Sequence, residues 1–158
     1  MGSVDAARFR QLLGRFATGV AVLSTRDANG HPVGMTINTL TSVSLDPPLI
    51  LVCVDCQHDT HTALLTADHF VVSMLASDQE ALSRRFASGD SRFDGVGYRL
   101  SDRGIAVLDG AIAHLECDVH ERVEAGDHTV FFGRVVGGDV TERRPLLYYR
   151  GGYTSLSG

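Results

Sequence analysis

The chain has 158 residues, of which 44% are hydrophobic and 21% charged, as in one ordinary globular domain rather than a disordered or fibrous protein. Its formal net charge is −5 and it has no cluster of Lys and Arg, which excludes nucleic acid as a main partner because phosphates would find no basic surface. We therefore expect a single domain over residues 1–158.

The cysteines and the apolar segments indicate a compartment. Three cysteines, an odd number, occur without a segment that resembles a secretion signal, which indicates reduced thiols. No apolar stretch reaches the length of a membrane span. We expect a cytoplasmic protein without a membrane partner.

The first predicted element is an amphipathic helix over residues 4–17 with Ser3 as its N-cap. Its apolar side chains recur at i, i+3, i+4 and i+7, as Phe9, Leu12, Leu13 and Phe16. A β-rich run over residues 20–25 follows. Turn-forming residues at 27–30 then lead to a second strand near 33–36, which predicts a β-hairpin.

The middle of the chain alternates strands and short helices. Residues 49–54 follow two prolines and form an apolar strand. Thr60 is the expected cap of a short helix that extends to Ala67, and residues 70–74 form a further strand. Residues 77–80 read Ser-Asp-Gln-Glu, a capping box that predicts another helix.

Two long strands are predicted in the last third of the chain. Residues 111–123 alternate apolar and polar side chains, so we expect one buried face and one wet face that includes His114. The run 128–136 is apolar on both faces, which suggests that its outer face meets a second subunit. Many short strands and few helices predict a mainly β fold, an antiparallel barrel with a few flanking helices.

A run of hydroxyl and amide side chains over residues 34–48 is the most informative segment. Its polar positions follow neither a period of 3.6 nor a period of 2, so an amphipathic helix or strand explains it poorly. Hydroxyl, amide and backbone groups at fixed positions suit a polar, uncharged, ring-shaped ligand. The segment therefore predicts a binding site.

The sequence lacks the motifs of several catalytic classes. It contains neither a G-x-G-x-x-G fingerprint after a strand nor a P-loop, so it does not hold a nucleotide in the Rossmann or P-loop manner. It has no G-x-S-x-G elbow, and no pair of catalytic acid and base stands out by spacing. A redox enzyme whose cofactor performs the chemistry fits these absences.

Two histidine-containing segments are ambiguous from spacing alone. Residues 53–61 contain C-x-x-C next to H-x-x-H, but four ligands within nine residues would leave a structural zinc ion little to hold together. We interpret them as a strand followed by a turn and expect no metal site. A histidine after a turn, such as His128, is by itself more often an exposed loop residue.

Five sequence blocks, in the same order along the chain, resemble the flavin reductase-like family of short-chain NAD(P)H:flavin oxidoreductases. The blocks are Phe9 to Val20, Gly34 to Leu49, Gln79 to Ala87, Gly126 to His128, and Tyr149 to Tyr153. One block could arise by chance, whereas five in the correct order are a specific signal.

This resemblance implies a homodimeric split β-barrel that binds FMN or FAD in a groove at the subunit interface. It implies that Thr36, Asn38 and Thr39 hydrogen-bond N3–H, O2 and O4 of the flavin, and that Thr60 and Arg85 contact its phosphate. The expected flavin-binding residues are Met35, Thr36, Ile37, Asn38, Thr39, Ser42, Cys53, Val54, Asp55, His58, Thr60, Arg85, Phe86 and Ala87.

The resemblance also implies a site for the hydride donor, NADH or NADPH. His128 matches the family's Gly-Asp-His motif and is the expected catalytic residue, which positions the nicotinamide because hydride passes directly from nicotinamide C4 to flavin N5. Arg150 and Tyr153 are expected to cover the same pocket. The chain departs from the family at His58, where a small residue is usual, and at Cys56, where Lys is frequent.

Two functions of different classes remain open from the sequence. In the first, the protein is an NAD(P)H-dependent flavin reductase that supplies reduced flavin to a separate monooxygenase. In the second, it is a non-catalytic flavin-binding electron carrier. The Gly-Asp-His motif favours the enzyme, because a carrier needs no nicotinamide pocket. The sequence distinguishes neither FMN from FAD nor NADH from NADPH.

Overall fold

The computed structural model describes residues 2–157 and contains three helices and twelve strands within that range. The helices are α1 (Ala6–Leu13), α2 (Asp59–Leu64) and α3 (Glu80–Ala87). The strands are β1 (Thr18–Gly19), β2 (Ala21–Arg26), β3 (Pro32–Ile37), β4 (Thr41–Leu45), β5 (Pro48–Asp55), β6 (His69–Met74), β7 (Tyr98–Leu100), β8 (Ala106–Leu108), β9 (Ala113–Ala125), β10 (His128–Val140), β11 (Leu146–Tyr149) and β12 (Gly152–Ser155). None of the described helices is long and apolar enough to cross a membrane.

Seven of the strands form one antiparallel sheet in the order β3-β2-β6-β9-β10-β5-β4. β1, β11 and β12 form a small second sheet, and β7 pairs with β8. The dominance of antiparallel strands over three short helices confirms the predicted mainly β fold. The two edge strands of the large sheet, β3 and β4, are consecutive in the chain, so residues 38–40 cross from one edge to the other.

The large sheet is rolled around one apolar core. Leu23 of β2, Met35 of β3 and Val52 of β5 belong to the same buried cluster, although their strands lie in different parts of the strand order. Side chains on β5 alternate between the two faces, so Val54 is fully buried whereas Cys53 faces outward and is half-buried.

A second apolar core lies between the large sheet and α3. Its buried members are Val20, Val22, Leu75, Phe86, Phe93, Ala106, Leu108 and Leu146. The rings of Phe86 and Phe93 pack at a centroid distance of 4.9 Å. This core fixes α3 against the outside of β2 and β3, which brings the end of the helix next to the predicted binding segment.

Helix α1 is shorter than predicted and begins at a different cap. It ends at Leu13 instead of extending over 4–17, and Asp5 replaces Ser3 as the N-cap because its carboxylate accepts the Arg8 N–H at 2.8 Å. The apolar side chains of its predicted inner face are 48 to 75% exposed: Phe9, Leu12, Leu13 and Phe16. The rest of the described chain therefore leaves this face uncovered.

Two further predicted caps are wrong. His58 caps α2, because its Nδ1 accepts the Thr60 N–H at 3.1 Å, and Thr60 lies within the helix. The predicted capping box does not form at α3, whose N-cap Gln79 makes no capping hydrogen bond. The Gln79 side chain instead accepts the Ala76 N–H and donates to the Asp109 carbonyl, each at 2.8 Å.

The two longest strands, β9 and β10, correspond to the predicted strands 111–123 and 128–136. Cys117 faces the core as predicted, but His114, which was expected on the wet face, is only 9% exposed. Val136 of β10 is 44% exposed, so within this chain β10 is buried on one face rather than two.

Candidate functional site

The crossing between β3 and β4, residues 38–40, is the centre of the predicted binding segment. Met35 and Ile37 are 9% and 4% exposed and point into the barrel core, so they offer a ligand only their backbone. Asn38 and Ser42 are exposed on the outside. The crossing therefore presents the Asn38 amide together with backbone groups.

The Thr36 hydroxyl connects β3 to α3 and β12. It donates to the Ser83 carbonyl at 2.6 Å, and Ser83 Oγ lies 2.7 Å from the Tyr153 hydroxyl. Arg84 Cζ lies 4.9 Å from the centroid of the Tyr153 ring, against which Tyr148 packs at 5.3 Å. Since the Thr36 proton is used within the protein, its oxygen can only accept a hydrogen bond from a ligand.

The Thr39 hydroxyl connects the crossing to β5. It donates to the Cys53 carbonyl at 2.9 Å and accepts the Cys53 N–H at 3.1 Å. The two threonines that were expected to hydrogen-bond the flavin ring thus donate their hydroxyl protons to backbone carbonyls. The Asn38 amide and backbone N–H groups remain as donors to ring oxygens at the crossing.

The end of β5 lies beside the start of β10. Asp55 pairs with His128 in the strand register, and the Cys56 N–H donates to the Asp127 carbonyl at 3.0 Å. His128 Nδ1 lies 2.7 Å from Asp127 Oδ1, and this hydrogen bond lowers the pKa of Asp127. Cys53, which Thr39 contacts, lies two residues before Asp55 on β5, a distance of about 7 Å along the strand.

Two buried polar atoms at the start of α2 have no hydrogen-bond partner within residues 2–157. They are His58 Nε2 and Thr60 Oγ1. Because His58 Nδ1 accepts the Thr60 N–H, the imidazole proton is on Nε2, which makes this atom a donor. Burial lowers the pKa of His58 and favours this neutral form. Thr60 is 0% exposed, and native proteins seldom leave such a hydroxyl unpaired unless a ligand or water completes it.

Two cavities among the described residues border the crossing, and a third shares lining residues with one of them. The large cavity, about 690 Å³, lies between α1 and the large sheet, and its mostly apolar lining includes Phe9, Leu13, Phe16, Thr18, Asn38, Thr39 and Cys53. The inner cavity, about 210 Å³, is lined by Val20, Thr36, Ile37, Asn38, Ala87, Tyr148 and Tyr153. The outer cavity, about 290 Å³, is lined by Arg84, Ala87, Ser88, Tyr148, Gly151 and Tyr153.

The end of α3 contributes unequally to these cavities. Ala87 lines the inner and outer cavities, whereas Phe86 is fully buried in the second core. Arg85 donates from Nη2 to the carbonyls of Arg92 at 3.0 Å and Asp94 at 2.7 Å. Its guanidinium is therefore engaged with the loop that follows α3.

The β11–β12 hairpin brings Tyr153 to the site. Arg150 and Gly151 form its two-residue turn, with φ of 53° and 78°, the left-handed pair that suits a tight hairpin. The Arg150 N–H donates to the Gly14 carbonyl at 2.9 Å, which fixes the turn to the end of α1. Arg150 is exposed in this turn next to Gly151, which lines the outer cavity. His128 is instead paired with Asp55 of β5, the strand that Thr39 contacts at Cys53.

Sequence reasoning missed three residues that line or organise the site: Ser83, Arg84 and Tyr148. Ser83 and Arg84 lie within the Gln79–Ala87 block, which therefore already carried a signal. Tyr148 had no comparable signal. In the described range, no group of three or more His, Cys, Asp or Glu side chains is arranged to hold a metal ion.

The fold is a rolled antiparallel sheet with ligand-sized cavities next to the crossing. The sequence identifies the family. The sequence model of the flavin reductase like domain matches residues 13–157, so the chain belongs to that family. The chain is 38% identical over 156 residues to HsaB, the reductase subunit of a flavin-dependent monooxygenase from Rhodococcus jostii, covering 98% of this chain and 80% of the relative.

Two further proteins are similar over almost their whole length. SmoA, an FMN reductase (NADH) from Agrobacterium fabrum, is 36% identical, with 99% of this chain and 89% of the relative covered. The solved structure of the NADH:FAD oxidoreductase SgcE6 from Streptomyces globisporus, in complex with NAD and FAD fragments, superposes with a TM-score of 0.91 at 37% identity, covering 99% of this chain and 98% of that one.

Proposed function

We propose that this protein is an NAD(P)H-dependent flavin reductase that supplies reduced flavin to a separate monooxygenase. The observation that carries the proposal is the similarity, along almost the entire chain, to reductases of this description, one of them solved with NAD and FAD fragments. The residues of the site fit a flavin, because the crossing offers the exposed Asn38 amide and the start of α2 offers two buried polar atoms without a partner in the described chain.

The isoalloxazine ring lies along the crossing in this proposal. The Asn38 amide and backbone N–H groups donate to O2 and O4, and N3–H donates to the oxygen of Thr36 or of Thr39, since accepting is the one role their hydrogen bonds leave open. Met35 and Ile37 contribute through their backbone. Bound flavin supplies a ring that accepts hydride at N5.

The flavin tail lies along the turn between β5 and α2. His58 Nε2 and Thr60 Oγ1 donate to its phosphate, which gives both buried atoms the partner they lack in the free chain. His58 thereby serves where a small residue is usual in the family, through a neutral imidazole donor. Cys53, Val54 and Asp55 form the strand end beside the tail.

His128 orients the nicotinamide of the hydride donor. Its Nδ1 is fixed by Asp127, which leaves Nε2 of a half-buried ring to hydrogen-bond the carboxamide or a phosphate oxygen. No proton is moved by this residue, because direct hydride transfer needs only two rings held at contact distance. Arg150 and Tyr153 cover the donor on the other side.

We also propose that the chain acts as a homodimer. The uncovered apolar face of α1 lines the large cavity next to the crossing, and burial of such a face against a second subunit would shield the flavin from water. Sedimentation equilibrium should give twice the chain mass. A monomer at micromolar concentration would contradict this part of the proposal.

The test of function is steady-state oxidation of NADH and of NADPH, each with and without FMN, FAD and riboflavin, followed at the nicotinamide absorbance band. Flavin-dependent oxidation, together with anaerobic detection of free reduced flavin after ultrafiltration, is the expected result. A yellow protein that oxidises neither nucleotide would indicate the electron carrier instead, and a protein inert with every flavin would refute both functions.

A further inference from the structure

We propose that the outer cavity binds the pyrophosphate of the reduced nicotinamide nucleotide, and that Arg84 is the residue that binds it. The proposal rests on the reductase function proposed above and adds a phosphate-binding residue on α3 to the donor site. Its basis is that Arg84 lines the outer cavity and that its guanidinium lies over the ring of Tyr153, a residue that lines both the inner and the outer cavity.

The Tyr153 ring separates the inner cavity from the outer cavity. Ala87, Tyr148 and Tyr153 line both cavities, so the two are neighbouring parts of one cleft. The inner part borders Thr36 and also Asn38 of the crossing, and the outer part is lined by Arg84, Ser88 and Gly151. A donor with its nicotinamide at the crossing would therefore extend its phosphates into the outer part.

Arg84 is held in place without being strongly neutralised. Its guanidinium carbon lies 4.9 Å from the centroid of the Tyr153 ring, a stacking contact that leaves the N–H groups at the rim of the guanidinium able to bind an anion. Its acidic partner Glu80 is 3.2 Å away, but the two side chains are 65% and 48% exposed, so this pair is weak and exchangeable.

The charge distribution of the protein makes Arg84 important for attracting an anionic nucleotide. The chain carries a formal net charge of −5, which disfavours approach of an anionic nucleotide in general. Arg84 lines the outer cavity, and Arg150 precedes Gly151, another lining residue, in the exposed hairpin turn. A pyrophosphate would find its local partner there, and a guanidinium can bind two phosphate oxygens at once.

A purely structural role for Arg84 makes a different prediction. Cations in the last turn of a helix interact favourably with its carbonyl end, and Arg84 occupies such a position in α3. In that case, removal of the side chain would lower the melting temperature slightly and leave the Michaelis constant for NADH unchanged. The two roles are therefore separated by kinetics rather than by stability.

The experiment compares Arg84→Ala, Arg84→Lys and the control Arg99→Ala, an exposed arginine on β7 outside the three cavities, with the wild-type protein. We expect Arg84→Ala to raise the Michaelis constant for NADH about tenfold, the loss of one charge-assisted contact, with little change in kcat or in flavin affinity. Arg84→Lys should recover part of the loss, and the salt dependence of the Michaelis constant should become weaker in Arg84→Ala.

An unchanged Michaelis constant for NADH in a folded Arg84→Ala protein would overturn the assignment. Calorimetric titration with NAD⁺ provides a readout that does not depend on turnover. If the wild-type protein oxidises neither nucleotide with any flavin, the proposed function fails. The pyrophosphate assignment is then judged by titration alone, and equal or absent NAD⁺ binding in the wild-type and Arg84→Ala proteins would refute it.

Discussion

Replacement of Thr60 by valine should stabilise the free protein and weaken the binding of phosphorylated flavins. Thr60 is 0% exposed, and its Oγ1 has no hydrogen-bond partner in the described chain, so valine removes a buried hydroxyl without removing a bond. Valine has nearly the same shape and a similar helix propensity. A substitution that raises stability and weakens ligand binding is unusual, because most substitutions of buried residues lower stability.

The expected changes in stability and in FMN affinity both follow from the missing hydrogen-bond partner of the Thr60 hydroxyl. An unsatisfied buried polar group costs about 1–3 kcal/mol, so Thr60→Val should raise the free energy of unfolding by roughly 1 kcal/mol. A hydrogen bond to a charged phosphate contributes about 1.5–3 kcal/mol, and its loss corresponds to a rise of roughly ten- to a hundredfold in the dissociation constant for FMN.

The assay combines urea unfolding of the flavin-free protein with flavin titrations. Riboflavin, which has no phosphate, should bind the variant and the wild-type protein alike. Thr62→Val is the matched control, because Thr62 is exposed on the same helix and should affect neither stability nor FMN binding. A Thr60→Val protein that is less stable and binds FMN unchanged would refute the reasoning, since the hydroxyl would then have a structural partner.

Three other outcomes are expected. His128→Ala should raise the Michaelis constant for NADH more than the dissociation constant for flavin, and equal changes in both, measured by steady-state kinetics and flavin titration, would remove its assignment to the nicotinamide. Burial lowers the pKa of His58 in the folded state. The neutral imidazole therefore contributes stability that is fully present above the unfolded pKa of about 6.5. This stability is lost as the pH falls through the pKa of the folded state. Urea midpoints between about pH 7.5 and pH 5 should therefore fall more in the wild-type protein than in His58→Asn, which keeps a capping side chain without titrating, and parallel pH profiles would argue against this linkage. Burial also raises the pKa of Cys117 to about 12, so a thiol reagent at neutral pH should label exposed Cys56 first and reach Cys117 only after unfolding, as mass spectrometry of the labelled peptides would show.

The strands were predictable because their signal is local. A short continuous apolar run after two prolines marks the strand 49–54, which forms the inner part of β5 with Val52 and Val54 buried. The hairpin of β2 and β3 follows from the turn residues between them. The crossing was also predicted as a ligand site, since its polar residues had no explanation in either periodicity.

The helix caps were predicted less well, because several residues competed for each position. Asp5 and Ser3 are both good caps, and the choice depends on which carboxylate or hydroxyl reaches an N–H group in three dimensions. His58 is a rare cap, so a pattern that favours hydroxyl residues selects Thr60 instead. The Gln79 side chain accepts the nearby Ala76 N–H and donates to the distant Asp109 carbonyl, and no local pattern reveals the second partner.

The roles of Thr36 and Thr39 could not be predicted, because they depend on partners far along the sequence. Thr36 bonds to Ser83 and Thr39 bonds to Cys53, so hydroxyls that look available in the sequence are structural in the fold. In the proposed complex, Asn38 and backbone groups bind the flavin ring, and the buried donors His58 Nε2 and Thr60 Oγ1 bind the phosphate of its tail. Affinity in the proposed complex therefore comes mainly from the phosphate end. A flavin ring that few side chains contact is accessible to the hydride donor, and the reduced flavin can then dissociate from the protein. A reductase that hands its reduced flavin to another protein needs that property, and a carrier that keeps its flavin does not.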